Sequence, residues 1–159
     1  MRQRVYIETS IPSFYYTQRE DVESKARMNW TRQWWGECSG DFSLVSSAAV
    51  IAELRRGKSD MVEGRIDLLD GAQLLPITEE VEEIAQIYID KMIMPKDPQG
   101  DALHLAVTSF YRVEVLLTWN CTHIANPNKF EKIRFVNFEI GLPVPTLTTP
   151  MNFLSGGDR

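Results

Sequence analysis

Four oxygen-bearing side chains, Glu8, Glu53, Asp101 and Asn120, each sit within or just beyond an apolar segment that would fix its backbone. Three of them are carboxylates, which repel one another when crowded unless one is protonated or a cation bridges them. All-oxygen donors of this kind suit a hard ion, magnesium or manganese, which keeps part of its coordination shell for water and substrate. Such an ion polarises a phosphoryl oxygen and lowers the pKa of bound water, making that water an in-line nucleophile for a phosphodiester. Each residue taken alone has a plainer reading: Asp101 as a helix cap, Glu53 as a solvated helix residue, Asn120 as turn chemistry. What decides between the readings is whether folding brings the four together.

The stretch from Gly100 to Asn120, GDALHLAVTSFYRVEVLLTWN, predicts a buried helix and then a buried strand. Leu103, Leu105, Ala106, Val107 and Phe110 put apolar groups on more than one side of the helix, so it belongs inside a domain. Val115, Leu116 and Leu117 form the apolar run of a parallel strand covered on both faces, and Asn120 follows three residues later. Arg4 to Ile7 predicts a first strand with Glu8 at its end. Phe42 to Val45 predicts a second, after which Ser46 and Ser47 cap a helix from Ala48 to Arg56 that Gly57 stops. Glu53 lies four or five residues into that helix, roughly 7 Å from its start at 1.5 Å per residue. Helical side chains lean toward the N-terminus, so its arm reaches back. In an open parallel sheet, helix N-termini and strand C-termini share the ligand-binding edge, which places all four side chains there.

The remaining segments alternate in the same way. Asp21 to Trp35 reads as a helix with Val22, Ala26, Trp30 and Trp34 on one stripe, a core face or a contact for a second copy, and Gly36 and Gly40 bracket a loop. Ser59 to Leu69 reads as a helix and Gln73 to Leu75 as a third strand. Thr78 caps a helix to Met92 whose stripe is Val81, Ile84, Ala85, Tyr88 and Met92, with Glu79, Glu80, Glu82 and Glu83 favouring its positive end. Met94 to Pro98 is a linker. Asn126-Pro127 starts a last helix through Phe130, Ile133 and Phe135, and Thr146 to Thr148 forms a short edge strand. Strands alternating with helices define an α/β protein with a mostly parallel sheet.

A chain of 159 residues is most simply one domain. Its net charge of -5 argues against holding nucleic acid by bulk charge, although a bound cation reverses the sign locally. Cys38 and Cys121 lack zinc-site spacing and fit a reducing cytosol. No segment reads as a signal-peptide core or membrane span, so a soluble cytoplasmic protein is expected. With no GxSxG and two histidines, a Ser/His/Asp hydrolase has little support. Glu8 where an acyl-phosphate acceptor needs Asp argues against a receiver domain or aspartate-based phosphatase.

VYIETS, SAAVIAEL, GDALHLAV and LLTWN, with the following CTHIAN, resemble in order the motifs of PIN-domain ribonucleases, particularly VapC-like toxins of prokaryotic toxin–antitoxin pairs. The resemblance implies a three-layer α/β/α PIN-like domain over 1–154 with a frayed tail at 155–159. It implies an acidic pocket that binds Mg2+ or Mn2+ and hydrolyses single-stranded RNA, a homodimer, and an antitoxin that covers the pocket. Position by position, Glu8 stands where the family usually has its first Asp, Glu53 is the helical Glu, Asp101 opens the later helix, and Asn120 replaces a frequent fourth acid. Thr9, Ser10 and Thr118 flank these as hydroxyls that position ligands or water. His104, one turn from Asp101, is expected as a hydrogen-bond partner rather than a general base. Arg55, Arg56 and Lys58 are candidates for RNA phosphates, and Trp119 either stacks on a base or belongs to the core. The longer arm of Glu8 and the neutral Asn120 leave room for an alternative, a catalytically weakened PIN-like module that binds RNA or protein.

Overall fold

Val5, Tyr6 and Ile7 are completely buried, and the strand they form is the middle of the sheet. The computed structural model of the chain describes residues 2–96 and 100–156. Its strands are β1 (Arg4–Ile7), β2 (Ser43–Ser47), β3 (Gln73–Leu75), β4 (Val115–Leu117) and β5 (Thr146–Thr148), ordered β3-β2-β1-β4-β5. Every pairing among them is parallel. Parallel strands covered on both faces carry near-continuous apolar runs, which is why β1 and β4 stand out in the sequence. From β1 the chain builds β2 and β3 on one side, then crosses to β4 and β5 on the other. The reversal falls between β1 and β4, and the crevice above such a switch point is where open α/β sheets bind ligands. Glu8 N–H donates to the Leu117 carbonyl at 3.2 Å, so the two chains leave the sheet side by side.

Helices α1 (Ser10–Tyr15), α2 (Val22–Cys38), α3 (Ala48–Arg55), α4 (Val62–Asp67), α5 (Glu79–Asp90), α6 (Gly100–Phe110), α7 (Pro127–Glu139) and α8 (Pro150–Ser155) flank the sheet, giving a PIN-like α/β/α fold. Helices α3 and α5 pack on α6, while α2 packs on α1 and α8. Helix α6 is buried almost all round, as its apolar distribution predicts. Side chains of Asp21, Thr78 and Asn126 cap α2, α5 and α7, satisfying backbone N–H groups that a helix start leaves unpaired. Among the described residues no helix is long and apolar enough to cross a membrane.

Several expectations need correction. The buried face of α2 is Ser24, Thr31, Trp34 and Cys38, whereas Val22 is 86% exposed and Ala26 is exposed. Apolar spacing misses this face because half of it is polar and hydrogen-bonded, Thr31 donating to the Arg27 carbonyl at 2.6 Å. Trp34 is fully buried against Phe42 and Phe153, so the stripe does not offer it to a second copy. Helix α2 also runs through Gly36, and the loop begins only with a 3-10 turn at Ser39–Asp41. Ser59 belongs to a turn, its hydroxyl accepting from Met61 N–H at 3.0 Å, so α4 is shorter than expected. Phe135 on α7 is 63% exposed. Thr149 and Pro150 open α8, which carries the chain to Ser155 where a frayed tail is expected. Asp97 and Pro98 of the linker, and 157–159 of the tail, lie outside the described residues.

Met92 is not part of the α5 stripe. It is 88% exposed and left-handed at φ 61°, with Met92 N–H bonded to the Ile89 carbonyl and Ile93 N–H to the Tyr88 carbonyl, each at 3.0 Å. That is a Schellman ending with methionine where glycine is usual. Arg112, at φ 55°, closes α6 in the same way. A side chain in this conformation costs roughly 1–2 kcal/mol, part of which glycine returns in unfolded-state entropy. Arg112→Gly is expected to raise unfolding free energy by about 0.5–1 kcal/mol, read from urea midpoints.

Tyr88 is fully buried, donates to Asn137 Oδ1 at 2.6 Å and lies 3.1 Å from the Ser109 hydroxyl. Burial outweighs both bonds and pushes its hydroxyl up to about 12. The folded state holds this proton more tightly than the unfolded chain, so the stability it confers is full below pH ~10 and declines toward pH 12. Tyr88→Phe should remove that part of the alkaline transition, measured by denaturation at pH 8 and pH 11.

Candidate active site

Glu8, the first residue beyond β1, is 6% exposed. Its Oε1 accepts from Ser10 N–H at 3.0 Å, from the Ser10 hydroxyl, and from the Thr118 hydroxyl at 2.6 Å. The same hydroxyls tie the end of β4 to the start of α1, Ser10 Oγ accepting from Trp119 N–H at 2.7 Å and Thr118 Oγ1 from Asn120 N–H at 2.9 Å. The longer arm of glutamate is therefore folded onto its neighbours.

Glu53 reaches the rim from within α3. Its Oε1 accepts from the Thr9 hydroxyl at 2.6 Å and pairs with His104 Nε2 at 2.6 Å. A Cβ placed on Gly100 would lie 2.5 Å from Glu53 Oε2 and 3.0 Å from its carboxyl carbon, so the carboxylate occupies the space at the start of α6 that this glycine leaves. Asp101 follows directly, 6% exposed, with its Oδ1 accepting from Asn120 Nδ2 at 3.0 Å. Asn120 Oδ1 in turn accepts from His123 N–H at 2.9 Å. The reversed amide would set oxygen against carboxylate, so the network fixes its orientation. Asn120 turns an N–H, rather than the expected oxygen ligand, toward Asp101.

Behind the acids, His104 Nδ1 lies 2.7 Å from the Tyr6 hydroxyl, which lies 2.7 Å from Ser47 Oγ. Tyr6 and Ser47 are missing from the sequence reading, although Tyr6 shares a face of the strand with Glu8, two residues on. Burial works against a charged His104, yet the bond to Glu53 and the charges of Glu8, Glu53 and Asp101 raise its pKa. Burial likewise opposes ionised Glu53, but His104, Thr9 and Arg56 bring it below the usual range. The two directions agree on a charged pair. Asp101 is raised, chiefly by burial and also by Glu53, against the pull of Asn120, His123 and His104.

Trp119 is 6% exposed; its Nε1 donates to Thr31 Oγ1 at 2.8 Å and Arg27 lies over its ring. It belongs to the core and presents no face to a base. Arg55, Arg56 and Lys58 are exposed, but Arg55 is paired with Glu63 at 3.2 Å and Arg56 acts on Glu53.

The hydrogen bonds described fall on one oxygen of each carboxylate, leaving Glu8 Oε2, Glu53 Oε2 and Asp101 Oδ2 for a further partner. Three such oxygens fit a hard divalent ion in chemistry and in charge. They do not form a finished cage: among the described residues no three His, Cys, Asp or Glu side chains are arranged to hold a metal.

A solved structure shares this parallel sheet and its flanking helices across most of the chain. VapBC2 from Rickettsia felis, crystallised with a DNA fragment from its promoter, matches with a TM-score of 0.58 at 13% identity, over 92% of this chain and 98% of the other. The chain is thus a structural match to a VapBC-type PIN-domain toxin–antitoxin protein. No protein-family model matches the sequence, and no curated protein is significantly similar to it.

Gly100→Ala tests the packing at the rim. The added methyl meets the Glu53 carboxylate, which is bonded to Thr9 and His104, so the chain still folds but its melting temperature should fall. Glu53 should turn away from His104, and the imidazole pKa, followed by NMR in EDTA, should fall.

Proposed function

We propose that this protein is a metal-dependent endoribonuclease that hydrolyses single-stranded RNA, and the toxin of a toxin–antitoxin pair. What supports the reading is that Glu8, Glu53 and Asp101, from three distant parts of the chain, each act on the buried His104 near the switch point of the sheet. Glu8, Glu53 and Asp101 would hold Mg2+ or Mn2+ through their remaining oxygens. Once bound, the ion supplies charge for the phosphoryl oxygens and a water of lowered pKa as nucleophile. The chain's own part is to aim the acids. His104 and Thr9 fix Glu53, Ser10 and Thr118 fix Glu8, and Asn120 fixes Asp101. The solved VapBC2 assembly supports a companion antitoxin, which would cover the same acidic rim.

A second reading, a catalytically weakened PIN-like module, is favoured by the unfinished cage and by the amide of Asn120 where an acid would add charge. Cleavage of a labelled single-stranded RNA by the purified protein separates the two. Activity is expected to require Mn2+ or Mg2+ and to fall by at least ~100-fold in Asp101→Asn, with a loss of roughly 10- to 100-fold in metal affinity for His104→Ala. Cleavage in EDTA, or an unaffected Asp101→Asn, would overturn the nuclease assignment. No heat of Mn2+ binding at millimolar metal would favour the weakened module.

A further inference from the structure

Next to the carboxylate rim is a cavity of about 360 Å3, walled by Ile89, Met92, Met94 and Pro95 and edged by Lys96, His123 and Lys129. That volume is in the range of sites for one small ligand, ~300–1,000 Å3. Its described lining carries two lysines and a histidine and no carboxylate, in a chain whose net charge is -5. A larger cavity along α7, about 510 Å3, balances Lys91 and Lys132 with Glu131 and Glu139 and shows no such bias.

The basic cavity is joined to the acids by a short hydrogen-bonded path, His123 N–H to Asn120 and Asn120 to Asp101. Burial lowers the Lys129 pKa, and the charge of Asp101 pulls against that. Lys129 Nζ donates to the Ile93 carbonyl at 2.6 Å, which fixes the ammonium over the end of α5 and leaves two of its protons for another acceptor. Met92, held left-handed where glycine is usual, keeps an exposed thioether at this cavity. Strain of that kind concentrates at binding sites, and a thioether adapts to the face of a ring.

We propose that this cavity holds one nucleotide of the single-stranded RNA beside the scissile phosphodiester, its phosphate against Lys96 and Lys129 and its base against Met92, Met94 and His123. This deepens the nuclease reading and rests on it. It moves the RNA contact from the α3 end, where Arg55, Arg56 and Lys58 are expected to lie, to the opposite flank between α5 and α7. Anionic phosphate and a flat apolar base are the two halves of a nucleotide, and the cavity has a matching surface for each.

The test is fluorescence anisotropy of a labelled 12-nucleotide single-stranded RNA on the full chain in EDTA. Lys96→Ala and Lys129→Ala should each weaken binding several-fold, and each should reduce the slope of log affinity against log salt by about 0.7. Lys129→Arg should retain most of the affinity, which a merely helix-capping lysine does not require. Exposed Lys96→Glu, with an unchanged melting temperature, guards against a folding defect in the Lys129 variants. Wild-type affinity and salt slope in Lys96→Glu and in Lys129→Ala would overturn the proposal. RNA binding that depends on these lysines in a protein that cleaves nothing would keep the subsite and remove the nuclease reading. Metal-dependent cleavage with unaltered RNA affinity in the variants would do the reverse.

Discussion

Negative charge on Glu8, Glu53 and Asp101 repels itself, and the structure around the sheet edge is organised to tolerate that. Glu8 and Asp101 are buried and Glu53 is partly so, and each has one oxygen tied to a donor from another element: Thr118 beyond β4 for Glu8, His104 on α6 for Glu53, Asn120 for Asp101. The surrounding acids favour the protonated form of His104, and burial of Tyr6 raises its pKa, keeping its hydroxyl neutral beside the ring. Removing any of these donors leaves a buried or partly buried carboxylate short of a partner, a situation that costs more than the hydrogen bond itself contributes.

Much of the scaffold was legible because its signals are local. The apolar runs of β1 and β4, the caps at Asp21, Thr78 and Asn126, and the apolar girth of α6 read directly from residue type and spacing. What stayed hidden depends on partners distant in sequence. Thr31 is buried because Trp119 bonds to it, and no periodicity in α2 announces that. Gly100 matters because Glu53 lies against it, and Asn120 offers an N–H because His123 has taken its oxygen. The four side chains were found by type and position along the chain; the hydroxyls and the imidazole that aim them needed coordinates. Lys96 and Lys129 line one cavity only because the start of α7 lies against the segment after α5, Lys129 bonding to the Ile93 carbonyl, so the basic cavity has no sequence signature.

The two left-handed residues show the same division. Met92 and Arg112 end α5 and α6 with backbone hydrogen bonds that ordinarily select glycine. At Arg112 the carbonyl accepts from the Arg4 guanidinium at 3.0 Å, an anchor between the end of α6 and β1. At Met92 the side chain is exposed beside a cavity. Local propensity is overridden at both places, for reasons found in the tertiary structure.

Because β1 lies between β2 and β4, it waits for its second neighbour until β4 has been made. Val5 pairs with Val115, and the hydroxyl that holds Glu8 belongs to a residue 110 positions away. An emerging polypeptide therefore carries Glu8 and then Glu53 as isolated acids, and only when the segment after α6 has left the ribosome can the sheet close around them. That ordering is a built-in delay: the strand topology leaves the acidic edge unassembled until β4 has been made.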